Sequence, residues 1–158
     1  MKKVTRRSML VAIGAAGVGA CVCGLGGSCA TFTKKGKTPA LAAGAYVIEG
    51  GAVRVALDKA PQLAAVGGSM KLINARLPTP IIIARTGKSD YAVVSLLCPH
   101  RGVEVEYRHE ERRFRCASLG HSTFSTDGAL QKGLATKGLT RYDARLDPAD
   151  KNRLLITF

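Results

Sequence analysis

Tryptophan is absent from this chain of 158 residues, and it holds only four Tyr, four Phe and three His. So few aromatics leave no stacking platform, and no basic helix is legible. The formal net charge of +13 therefore does not argue for a nucleic-acid surface. Acidic residues are missing altogether before Glu49. Seven of the basic residues (Lys2, Lys3, Arg6, Arg7, Lys34, Lys35, Lys37) lie before that point, flanking an uncharged apolar stretch from Ser8 to Thr33. From Glu49 onward, seventeen Lys and Arg face eleven Asp and Glu, so the remainder is only mildly basic. The charge is in good part an address and a membrane flank.

Residues 1–33 read as a targeting segment or anchor. Thr5-Arg6-Arg7-Ser8-Met9-Leu10 resembles the twin-arginine export signal, a route that carries folded cargo. The uncharged run is long enough to cross a hydrocarbon core, which needs roughly 20 residues. Six glycines between Gly14 and Gly27 make it a mediocre helix in water, though glycine is commoner in membrane helices. Three fates are open to it: retention as an anchor, cleavage before Cys21 at Val18-Gly19-Ala20 with lipid on the cysteine, or cleavage after Ala30. The first two leave a tethered protein on the periplasmic side of a bacterial cytoplasmic membrane.

Residues 34–44, rich in Gly, Pro, Ala and Lys, show no period and read as a linker. Beyond them come short alternating or β-branched runs: 45–48, 52–57, 70–73, 81–85, 91–96, 103–107, 113–115, 141–146 and 153–158. Turn signals such as Gly50-Gly51 and Asp147–Asn152 separate them. No internal repeat or long helix interrupts the pattern. Residues 45–158 are therefore expected to form an all-β, antiparallel sandwich or small barrel. Val103–Tyr107 alternates with period two, which predicts one buried and one charged face.

Cysteine is scarce in this part. Cys21, Cys23 and Cys29 lie in the leader, leaving only Cys98 and Cys116. Each has an imidazole close by, in Cys98-Pro99-His100 and in Cys116-Ala117-Ser118-Leu119-Gly120-His121. Two thiolates and two imidazoles suit a tetrahedral zinc site, or a [2Fe–2S] cluster with two cysteines on one iron and two histidines on the other. A disulfide between Cys98 and Cys116 is the bland reading, and it leaves the spaced histidines unexplained. The third histidine, His109, sits among Arg108, Glu110, Glu111 and Arg112, as in a solvated turn.

Leu96-Leu97-Cys98-Pro99-His100-Arg101-Gly102, followed by Phe114-Arg115-Cys116 and by His121-Ser122-Thr123-Phe124-Ser125-Thr126-Asp127-Gly128, resembles the two cluster-binding loops of Rieske iron–sulfur proteins. The resemblance runs over roughly residues 45–158, with Gly133-Leu134-Ala135 and Leu139–Tyr142 near its end. It implies a Rieske-like fold with the two loops at one end, and a [2Fe–2S] cluster held by Cys98, His100, Cys116 and His121, with Ser122 donating to the cluster.

Departures from the family are specific. The family's second loop is Cys-x-x-His-Gly-Ser, whereas four residues separate Cys116 from His121 here. Gly120 precedes the histidine, and is expected to supply an unusual backbone angle. High-potential members carry a cysteine where Val103 stands and a tyrosine where Phe124 stands. Leu134 replaces a proline of the quinol-oxidising subunits. Fewer donors to the sulfurs lower the potential, while Arg101 and Arg115 push it up.

No two-histidine, one-carboxylate constellation accompanies the loops, and the chain is too short for an oxygenase domain. The resemblance thus implies an electron carrier or electron-transfer subunit with no catalytic centre of its own. Its basic surface implies an acidic redox partner, such as a cytochrome or an oxidoreductase subunit. The alternatives are a quinol-oxidising subunit of a cytochrome bc-type complex, or a zinc-binding or cluster-free module.

Overall fold

A computed structural model describes residues 36–158, so the twin-arginine, anchor and Cys21 lipidation readings lie outside the described residues. Eleven strands follow one another: β1 (Tyr46–Glu49), β2 (Ala52–Ala56), β3 (Ser69–Leu72), β4 (Ile81–Arg85), β5 (Tyr91–Ser95), β6 (Val105–Arg108), β7 (Arg113–Cys116), β8 (Thr123–Ser125), β9 (Leu130–Lys132), β10 (Arg141–Leu146) and β11 (Arg153–Thr157). Helical structure among these residues is limited to three 3₁₀ turns, and no helix there is long and apolar enough to cross a membrane.

The strands form two antiparallel sheets. The larger has the order β1-β2-β11-β10-β5-β4-β3, the smaller β6-β7-β8-β9. Local chemistry sets several of these pairings. Gly50 and Gly51 take φ of 56° and 76°, the two positive angles a two-residue hairpin needs to place Glu49 opposite Ala52. Single-faced strands such as β2 bury alternate residues, here Val53 and Val55.

β4 is different, with Ile81, Ile82, Ile83 and Ala84 all buried. Such a continuous apolar run belongs to a strand covered on both faces. Ile81 and Ile83 join a core with Val53, Val55, Leu72, Leu154 and Ile156. Ile82 and Ala84 join a second core with Phe114, Phe124, Cys98 and Cys116. β5 divides the same way, Val93 to the first core and Val94 to the second. These two strands are the common wall between the frame and the small sheet.

The small sheet is one excursion of the chain. The backbone leaves β5 at Ser95 and re-enters at β10, which pairs directly with β5 through Arg141 opposite Val94. Everything between, including every predicted ligand, belongs to that excursion.

The expected all-β antiparallel architecture is what the structure shows, and nine expected runs match strands to within two residues. Residues 36–44, read from composition as a linker, lie along β3: Leu41 N–H donates to Lys71 O, and Lys71 N–H to Pro39 O, each at 2.8 Å. Thr38 and Leu41 are buried there.

Candidate metal centre

Two loops at one end of the small sheet carry the predicted ligands. The first is pinched shut at both levels: Cys98 N–H donates to Val103 O, and Gly102 N–H to Cys98 O, each at 2.8 Å. The second hangs between β7 and β8, closed by Cys116 N–H to Ser122 O at 2.8 Å and His121 N–H to Ser118 O at 3.1 Å. Ala117 N–H donates to Glu104 O at 3.0 Å, which ties the second loop to the strand leaving the first.

This closure brings Cys98 and Cys116 side by side, each 1% exposed and each a free thiol. Burial pushes the Cys98 thiol above its ordinary range. The His100 backbone N–H, which donates to its sulfur, opposes this; the adjacent Cys116 adds to the rise, and the Ser122 hydroxyl opposes it. The Cys116 thiol donates to the Ser118 hydroxyl at 3.2 Å.

Ser122 is the pivot of a third segment. Its hydroxyl accepts from Ala135 N–H at 3.0 Å, and its backbone backs onto Gly133. Gly133 has φ of 111°, and a Cβ there would lie 2.4 Å from Ser122 Cα. Only glycine fits. Phe124 and Phe114, opposite each other on β8 and β7, are fully buried under the cysteines. Each contributes about 2–3 kcal/mol through burial alone.

The histidines are placed unequally. His100 is half-buried, and its Nδ1 is enclosed with no hydrogen-bond partner. His121 is exposed, with Nδ1 3.5 Å from Cys116 O. Among the described residues, no three His, Cys, Asp or Glu side chains converge as a ready metal cage. The structure thus gathers Cys98, Cys116 and Ser122, sets the His100 backbone N–H on the Cys98 sulfur, and leaves the His121 side chain on the rim.

The unusual backbone angle expected at Gly120 falls instead on His121, at φ of 40°. A left-handed angle costs a non-glycine residue about 1–2 kcal/mol. Gly120 earns its place differently, because a Cβ there would come within 2.8 Å of Leu134. His109 occupies the exposed turn after β6, at the far end of the β6–β7 hairpin from Cys116.

The alternation of Val103–Tyr107 predicted an outward Glu104, yet Glu104 is buried. Its carboxylate meets Lys71 Nζ at 2.7 Å and accepts from Gly36 N–H at 2.7 Å. A lysine inside the apolar run Met70-Lys71-Leu72 was the signal available for that partner.

The donor set suits a group that wants soft sulfur and imidazole together. Two neighbouring free thiols in apolar surroundings, with an enclosed, unpartnered imidazole nitrogen two residues along the first loop, offer sulfur and nitrogen donors of that kind.

No family model matches the chain, and no curated protein matches it. Among solved structures it is similar to the cyanobacterial plasma membrane Rieske protein PetC3 from Synechocystis PCC 6803. The identity is 23% and the TM-score 0.50, over 62% of this chain and 93% of that one. It is also similar to the ferredoxin of carbazole 1,9a-dioxygenase from Nocardioides aromaticivorans, at 18% identity and a TM-score of 0.49, over 59% of this chain and 86% of that one. The excursion between β5 and β10, with its two pinched loops over a four-stranded sheet, belongs to a domain of the Rieske fold.

Proposed function

We propose that this domain is an electron carrier, or the electron-transfer subunit of an oxidoreductase, built around a [2Fe–2S] cluster. The single observation that carries the reading is the pairing of the free Cys98 and Cys116 thiols where two pinched loops meet, with the His100 backbone N–H on the Cys98 sulfur. Cys98 and Cys116 would hold one iron, His100 and His121 the other. When bound, such a cluster takes and returns one electron.

The chain's own residues set the terms of that exchange. The apolar bed of Phe114, Phe124 and Val105 keeps water from the sulfur side. Ser122 offers a hydroxyl to Cys98, and the His100 N–H a second donor, both of which favour added negative charge on the sulfur. His121, on the rim, gives a partner its shortest approach.

The test is analysis of the full-length chain purified without oxygen from an iron-sufficient host. Two irons and two labile sulfides, with a Rieske-type paramagnetic signal on reduction, are expected. His121→Ala abolishes that signal and His109→Ala leaves it intact. Stoichiometric zinc in place of iron overturns the reading.

The same reading puts the domain on the periplasmic side of a cytoplasmic membrane, supported by the Arg6-Arg7 pair and the apolar run behind it. Exchanging both arginines for lysine strands the precursor in the cytoplasm if the twin-arginine route is used. Unchanged export of that variant excludes it.

A further inference from the structure

The outward face of the small sheet is dominated by basic side chains. Val105, Tyr107, Phe114, Cys116 and Phe124 point into the core, so the residues between them point out. One outward row runs Glu106, Arg115, Thr123, Lys132 across β6 to β9, and the next sets Arg108 opposite Arg113. Like charges directly opposite on a sheet are destabilising, so this arrangement works against the fold.

The acids on and beside this face are engaged, except Glu110, exposed in the β6–β7 turn without an ion pair among the described residues. Glu106 accepts from Arg108 at 2.9 Å and from Lys37 N–H at 2.7 Å, and Glu111 pairs with Arg113 at 3.2 Å. Asp127, at the β8–β9 turn, is held by the Ser125 hydroxyl. Arg115 and Lys132 have no ion-pair partner among the described residues. Between Lys37, Arg108, Arg115 and His121 opens a cleft of about 240 Å³, with Cys116 in its wall and Glu106, already paired with Arg108, as its one acid.

We infer that this face docks an acidic protein surface, one carboxylate of which enters the cleft beside His121. The inference rests on the electron-carrier reading and names the partner's chemistry. An electron leaves through a centre brought up to the exposed imidazole, and a lipid surface or a nucleic acid offers no such centre. Basic residues around the exit speed and orient the encounter with an acidic partner. Leu119 and Leu134, 90% and 60% exposed on the adjoining loops, add apolar contact of the kind found inside polar rims.

Binding of poly-L-glutamate to the detergent-solubilised full chain at low salt, followed by calorimetry, tests this directly. Arg115→Gln with Lys132→Gln is expected to weaken binding about tenfold, while the charge-matched Lys59→Gln with Lys151→Gln, elsewhere on the domain, has little effect. Equal weakening by both pairs reduces the effect to net charge and overturns the inference. So does binding to phosphatidylglycerol vesicles that depends on Arg115 and Lys132, with none to poly-L-glutamate, which marks a membrane face. Inorganic phosphate protected by the same residues, without polyglutamate binding, marks a small-anion site and overturns it too. Circular dichroism of each variant excludes unfolding. Iron and sulfide assays on the same samples keep the two readings apart: residue-specific binding in a cluster-free protein sinks the electron carrier and leaves the docking face.

Discussion

Lys71 and Glu104 meet at 2.7 Å with side chains 11% and 7% exposed, joining edge strand β3 of the large sheet to the strand that leaves the first ligand loop. A buried pair contributes little net stability over an apolar one, but removing one partner strands a charge. Lys71→Met is therefore expected to cost about 3–5 kcal/mol in denaturant unfolding. Lys71→Met with Glu104→Leu recovers most of that loss, except the bond from Gly36 N–H. A single variant as stable as wild type contradicts the buried charge.

Ser122 serves two partners, and its replacement separates them. Ser122→Ala leaves Ala135 N–H without an acceptor, at about 1–2 kcal/mol. It also removes a donor from Cys98, so the midpoint potential of the loaded protein falls. A thermal melt reads the first effect and a redox titration the second. A lower melting temperature with an unmoved potential means that the hydroxyl does not act on the sulfur.

Gly133→Ala forces a Cβ into Ser122 at a backbone angle that alanine avoids. We expect about 2 kcal/mol or more of destabilisation. In the loaded protein the paramagnetic signal broadens as Ser122 shifts. Gly120→Ala is milder, because the flexible end of Leu134 can give way. The two variants, compared by chemical denaturation, rank the third segment against the second loop.

Arg112 closes the β6–β7 turn at φ of 48° and is exposed. Arg112→Gly relieves that angle at the price of a looser unfolded chain, so a net gain of about 0.5 kcal/mol is expected. The midpoint of urea unfolding checks it, and the cluster signal stays as it was.

The strands were legible because their residues alternate or run apolar on a scale of four or more. β8 and β9 escaped that reading. Thr123-Phe124-Ser125 has one buried position, and Leu130–Lys132 has none, so neither shows a period. β8 is a strand because β7 offers it an edge, and β9 because β8 in turn offers it one. The cysteines and histidines were legible for the opposite reason, since a chain with so few must place them deliberately. What the residues alone could not reveal was tertiary: the strain on His121, Gly133 behind Ser122, and the turning inward of Glu104 toward a lysine thirty-three positions away.

The excursion between β5 and β10 begins and ends on neighbouring strands, about 4.8 Å apart across the sheet. To the frame, everything from Leu96 to Thr140 is a detour with a fixed doorway. Its loops are free to change length without shifting the register of a single frame strand, provided its inward side chains still cover Ile82, Ala84 and Val94. A longer second loop, such as the one that separates Cys116 from His121 here, is thus accommodated locally. The doorway makes the detour a graft: another sequence of similar hairpins, entering at Ser95 and leaving at Arg141, would inherit the same rigid mount.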